Sequence, residues 1–175
     1  MFRLAAPLGM KFIAHDPFAD LSLATELGVD LVDLDKVFAQ SDVISINCPL
    51  TPDTHHLVNT SRLSQMKPTA YLINTARGPI VDQVALTQAL RNGSIAGAGL
   101  DVFEVEPPAA DDPILTLDNV ILTPHALCWV DEGSIVAGRT DHQQWISVSN
   151  IPPSKFRTIH RNQACDHGPD KIRFT

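Results

Sequence analysis

The sequence predicts an α/β fold: a doubly wound parallel sheet with helices between its strands. Three observations carry this. Short, mainly apolar runs recur along the first 123 residues, at 10–14, 43–47, 70–74, 96–102 and 120–123, the one at 43–47 rich in β-branched residues. Stretches with helical spacing separate them. The runs are continuously apolar rather than alternating, as strands buried on both faces are.

The elements follow in order. Residues 2–8 read as helix, closed by Gly9 in the C-terminal cap position. Residues 10–14 form a buried strand that stops at His15-Asp16-Pro17. Residues 21–27 form a short helix ended by Gly28, and Leu31-Val32 a brief strand. Residues 33–40 place Leu34, Val37 and Phe38 on one helical face. The run Val43-Ile44-Ser45-Ile46-Asn47 is a strand closed by Cys48-Pro49. Residues 60–66 form a helix stopped before Pro68, and 70–74 the next strand. Residues 82–92 form a helix with Asp82 at its start and Gly93 past its end. The glycine-bearing strand 96–102, a helical turn at 113–117 and a last strand at 120–123 complete the pattern. From residue 133 to 175 the periodicity fades among Pro152-Pro153 and scattered His, Asn and Gln, so this part reads as an irregular or disordered tail. The division is therefore residues 1–132 as the folded unit and 133–175 as the tail.

Bulk properties narrow the function classes. The formal net charge is −7 with no basic run, which argues against a nucleic-acid or anionic-membrane surface. Three widely spaced cysteines, Cys48, Cys128 and Cys165, suit reduced thiols and a cytoplasmic setting better than a disulfide framework. No apolar run approaches the length of a membrane span. His160, Cys165 and His167 match no metal-ligand spacing, so no metal is expected.

In an open parallel sheet, ligands lie outside the carboxyl ends of the strands. The strand ends give Asp16, then Asn47-Cys48-Pro49, then Asn74-Thr75-Ala76-Arg77, then Asp101 with Glu104 and Glu106, and last His125. A cation, a carboxylate and a histidine on one rim are a set for handling charge and protons at a carbonyl. Glu104 and Glu106 both qualify as the partner of the histidine. Glu104 is expected to be solvated, as are the loop residues His55 and His56. Cys48 is expected to be a small buried side chain rather than a nucleophile.

The order NTARGPIVD, GAGLDVFEVEP, LTPHA resembles the NAD-dependent D-isomer-specific 2-hydroxyacid dehydrogenases, among them glyoxylate/hydroxypyruvate reductases and phosphoglycerate dehydrogenases. The resemblance covers roughly residues 2–132. It implies an incomplete Rossmann-like sheet, NAD as cofactor, and hydride transfer to or from a small D-2-hydroxy or 2-oxo acid. It implies Arg77 as the residue that grips the substrate carboxylate, His125 as general acid/base, and Glu106 as its partner. It implies Asp16 on the adenosine ribose hydroxyls, Asp101 near the nicotinamide, and Cys48, Pro49, Thr54, Thr75, Ala76, Arg77 and His125 along the cofactor. A homodimer is a possible assembly by the same resemblance.

Two departures shape the expectation for this chain. Family members carry a strand with GxGxxG ahead of the point that Met1 matches, and a periodic helix after the point that Trp129 matches. The expectation is a fragment, with an N-terminal truncation or internal start and a frame change near Gly133. The core should be marginally stable, with central strand flanks exposed and activity impaired or lost. The alternatives are a non-enzymatic nucleotide-binding or interaction module, and an inactive remnant.

Overall fold

A computed structural model describes residues 1–126 and the backbone of residues 145–150. Seven strands form one sheet in the order β2-β1-β7-β3-β4-β5-β6. They are β1 (Lys11–His15), β2 (Val29–Leu31), β3 (Val43–Asn47), β4 (Tyr71–Asn74), β5 (Gly97–Leu100), β6 (Val120–Leu122) and β7 (Trp145–Asn150). Helix α1 (Phe2–Ala5) precedes them, and α2 (Leu21–Glu26), α3 (Leu34–Gln40), α4 (Thr60–Gln65) and α5 (Gln83–Arg91) fall between them. The expected alternation is present. Pairs β1–β2, β3–β4, β4–β5 and β5–β6 are all parallel.

Side-chain caps start three of the helices where the sequence changes from polar to periodic. Asp20 accepts from the amides of Ser22 and Leu23 at the head of α2. Asn59 accepts from Arg62 at the head of α4, and Asp82 from Ala85 at the head of α5. The predicted helix 2–8 is shorter than expected: it is α-helical only to Ala5 and continues as a 3₁₀ turn over Ala6–Leu8. Pro7 is the cause, since it supplies no amide for the helical ladder.

The main core lies between the sheet and α3, α4 and α5. Phe38, Ile44, Ile46, Leu72, Ile80 and Leu86 are among its largest fully buried members. A smaller, separate cluster of Phe2, Phe12, Ala14, Ala24 and Val29 joins α1 and α2 to β1 and β2.

Two expectations are corrected by β7. No element was expected in residues 133–175, and the flanks of β1 and β3 were expected to be exposed. Instead β7 lies between them, antiparallel to both, in an otherwise parallel sheet. The run WISVSN alternates Ser with larger residues, a strand pattern concealed by its polar content. An unpaired strand flank carries a row of free amides and carbonyls, and pairing with β7 satisfies them. The expectations for residues 127–144 and 151–175 lie outside the described residues.

Candidate active site

The carboxyl ends of β1 and of β3 to β6 collect the polar residues on one rim. Each is held there by its local backbone. After β4, the buried amide of Asn74 shapes the turn: its Oδ1 accepts from Ala76 N at 3.1 Å and its Nδ2 donates to Arg77 O at 2.9 Å. Arg77 is therefore presented at the surface, where one guanidinium nitrogen donates to Ala76 O at 2.6 Å. Thr75 beside it is exposed and Ala76 half-buried.

Directly behind Arg77, Gly78 lies flat against the backbone of the loop after β5. A Cβ at this position would fall 1.7 Å from Phe103 O and 2.6 Å from Glu104 N. Only glycine permits that approach. The loop so held carries Glu106, whose Oε1 accepts from Phe103 N at 2.9 Å and whose Oε2 lies 2.8 Å from His125 Nδ1.

His125 follows β6 with φ +53°, the left-handed region, which His tolerates better than β-branched residues do. Buried Asp101 holds this turn in place: its Oδ1 accepts from Thr123 Oγ1 at 2.5 Å and from Ala126 N at 3.0 Å.

The electrostatics of the pair are directional. The hydrogen bond from His125 first, then that from Phe103 N, then the charges of His125 and Arg77 hold the Glu106 carboxyl below the usual carboxylate range. An ionised Glu106 can only accept, so His125 Nδ1–H donates to it. The other ring nitrogen, Nε2, then carries the exchangeable proton or lone pair.

The remaining rim residues sit as follows. Asp16 follows β1, accepts from Phe18 N at 2.8 Å, and borders a cleft of about 380 Å³ with His15, Leu31, Val32, Asp33 and Lys36. Cys48 is buried, and burial pushes its thiol up, the opposite of what a nucleophile needs. Pro49 is exposed next to it. Thr54 shapes their loop, donating to Pro49 O and accepting from Thr51 N, both at 2.7 Å. Among the described residues no group of three His, Cys, Asp or Glu is placed to hold a metal ion.

Two side chains expected to be solvated, Glu104 and His56, are half-buried and paired instead. Glu104 is half-buried and pairs with His56, Oε1 to Nε2 at 2.6 Å. The reason is its loop: Glu104 and Glu106 lie two residues apart and are drawn to different partners. Of the residues that complete this assembly, the sequence places Asn74 at its strand end, whereas His56 and Gln83 were missed. Asn74 had a local signal, an Asn ahead of a tight turn; the other two meet Glu104 only through the tertiary fold.

Comparison with known proteins follows the same residues. The sequence profile described as "D-isomer specific 2-hydroxyacid dehydrogenase, NAD binding domain" matches residues 1–126. The chain is 49% identical over 124 residues to a glyoxylate reductase of Korarchaeum cryptofilum, covering 71% of this chain and 37% of that protein. It is 43% identical over 131 residues to a D-3-phosphoglycerate dehydrogenase of Archaeoglobus fulgidus, covering 75% of this chain and 25% of that protein. The structure of D-lactate dehydrogenase from Aquifex aeolicus with NAD and lactic acid superposes with a TM-score of 0.69 at 39% identity, covering 77% of this chain and 44% of that one. The chain thus spans less than half the length of each of these relatives.

Proposed function

The chain belongs to the D-isomer specific 2-hydroxyacid dehydrogenase family, through its NAD-binding domain, and from that membership we propose that it carries the cofactor- and acid-handling rim of an oxidoreductase that moves hydride between NAD(H) and a small D-2-hydroxy or 2-oxo acid. The observation that carries this reading is the His125–Glu106 pair at 2.8 Å, close enough to Arg77 for its charge to be felt at Glu106.

The residues suit the cofactor at both of its ends. Asp16, beside its cleft, offers carboxylate oxygens to the adenosine ribose hydroxyls, and a 2′-phosphate there would meet like charge. Cys48, Pro49 and Thr54 follow β3, Thr75 and Ala76 follow β4 beside Arg77, and Asp101 and His125 follow β5 and β6 further along the same rim. When bound, the nicotinamide supplies or takes the hydride. Arg77 has five N–H donors, of which one is turned to Ala76 O, so others remain to hold a substrate carboxylate in a fork. His125 Nε2 donates its proton to the carbonyl oxygen as the 2-oxo acid is reduced. In the reverse direction it accepts the proton of the hydroxyl. Glu106 fixes the ring and stabilises the imidazolium formed on that return path.

The substrate class, a cytoplasmic setting and homodimerisation belong to the same proposal. The dehydrogenases and reductases of small acids among the relatives support the first. The sparse cysteines support the second, and the third rests on family resemblance alone, with sedimentation equilibrium as its test.

The test of function is NADH oxidation by the purified chain, followed at the absorbance of the reduced nicotinamide with glyoxylate or hydroxypyruvate. Turnover that Arg77→Ala and His125→Gln each abolish supports the proposal, and turnover unchanged in both refutes the assignment. Saturable NADH binding with no turnover favours the second reading, a nucleotide-binding module.

A further inference from the structure

We propose that His56 and Glu104 are positioning residues: they clamp the loop that carries Glu106 so that its carboxylate meets His125. The proposal rests on the acid/base reading of His125 given above.

Beyond Asp101, which ties the start of the loop after β5 to the turn of His125, the loop has three anchors. One is the flat contact of Phe103 with Gly78. The second is Glu106 itself, turned back on Phe103 N and out to His125. The third is Glu104, and it is the most extensive. Its Oε1 lies 2.6 Å from His56 Nε2, and its Oε2 accepts from Gln83 N at 3.1 Å. Its own amide donates to Gln83 Oε1 at 3.0 Å, so Glu104 and Gln83 are joined in both directions. Gln83 Nε2 in turn donates to Asp112 Oδ2 at 2.7 Å.

His56 is prepared for this contact. Its backbone is left-handed, at φ +49°, and its amide donates to Pro79 O at 2.9 Å. The ring of His55 stacks on it at 4.1 Å. The clamp therefore ties together the loop after β3, the turn of Arg77 to Ile80, the start of α5 and the Glu106 loop. Without it, one backbone contact and the Glu106 bonds would have to fix a carboxylate that is 37% exposed. Charge-assisted hydrogen bonds are the stronger kind, so Glu104 has the means to set the loop.

The test reads His125 directly and needs no turnover. The full chain is labelled with ¹⁵N-histidine, and the ring nitrogens are followed by NMR at mildly alkaline pH. The His125 signals are assigned with His125→Gln. In the parent chain His125 is the Nδ1–H form bonded to Glu106. In His56→Asn, whose short side chain suits the left-handed backbone and falls short of Glu104, the Nδ1–H fraction drops by roughly half or more. Glu104→Ala gives the same result. His56→Gln, long enough to donate to Glu104, restores the parent signature. His15, bonded to Val32 O at 3.1 Å at the end of β1, away from His125 in the strand order, keeps its signals throughout and reports an intact fold.

An unchanged His125 signature in both His56→Asn and Glu104→Ala overturns the proposal. So does a shift of His15 and His125 together that His56→Gln fails to reverse, because the pair is then merely structural. Loss of NADH binding or turnover in the parent chain would refute the proposed function and leave this readout standing.

Discussion

Gly78→Ala is the substitution with the sharpest expected consequence. The added methyl would lie 1.7 Å from Phe103 O, 2.0 Å from Phe103 C and 2.6 Å from Glu104 N. All three are backbone atoms, so no rotamer change relieves the overlap. To reach even 3.0 Å from the carbonyl oxygen, the two loops must part by about 1.3 Å. Overpacking of this kind costs about 1–3 kcal/mol, and a backbone clash belongs at the upper end. Stiffening of the unfolded chain offsets about 0.4–1 kcal/mol of it. The net loss is about 2 kcal/mol, which lowers a urea midpoint by about 1 M for an ordinary slope. The same movement shifts the loop that carries Glu106 and disturbs its bonds to His125 and Phe103 N, the main causes of its lowered pKa, so the Glu106 carboxyl returns toward its ordinary value. Equilibrium urea unfolding, with ¹³C NMR titration of Glu106, checks both effects. A variant with the parent's midpoint and the parent's Glu106 titration would refute the close packing of the two loops.

Further outcomes follow from the same geometry. Leu72→Ala removes a fully buried side chain from the sheet between β3 and β5, and a loss of about 2–5 kcal/mol in urea unfolding is expected. Glu106 titrates below the usual 4.5, mainly through its bond to His125, so its contribution to stability is complete above that value and is lost as pH falls through the lowered folded-state pKa. His125→Gln should raise the Glu106 pKa and weaken this acid-side dependence, as measured by carboxyl NMR and by unfolding midpoints across pH. Arg77→Ala should leave the free energy of urea unfolding within about 0.5 kcal/mol of the parent, because the side chain is exposed, while abolishing any response to a 2-oxo acid.

Much of the sheet was legible because each strand is a compact apolar run with its stop signal in the next residue or two. His15-Asp16-Pro17, Cys48-Pro49 and Arg77-Gly78-Pro79 all end strands where the chain reaches the rim. That is why the polar rim could be drawn before any contact was known. The parts that were missed depend on distant partners. WISVSN becomes a strand by lying between β1 and β3, which are about a hundred residues or more away in sequence. Glu104 stands in a polar stretch that reads as solvated, and only the fold brings His56 and Gln83 to it. Conversely, the tight loop at Gly78 was visible only as a turn; that it is a backbone-to-backbone seat for the Glu106 loop required the structure.

The central claim is that this rim receives NAD(H), and fluorescence titration of the purified chain with NADH tests it most directly. The account predicts saturable binding that Asp16→Ala weakens. Absence of saturable binding in a chain whose urea unfolding is cooperative would contradict it.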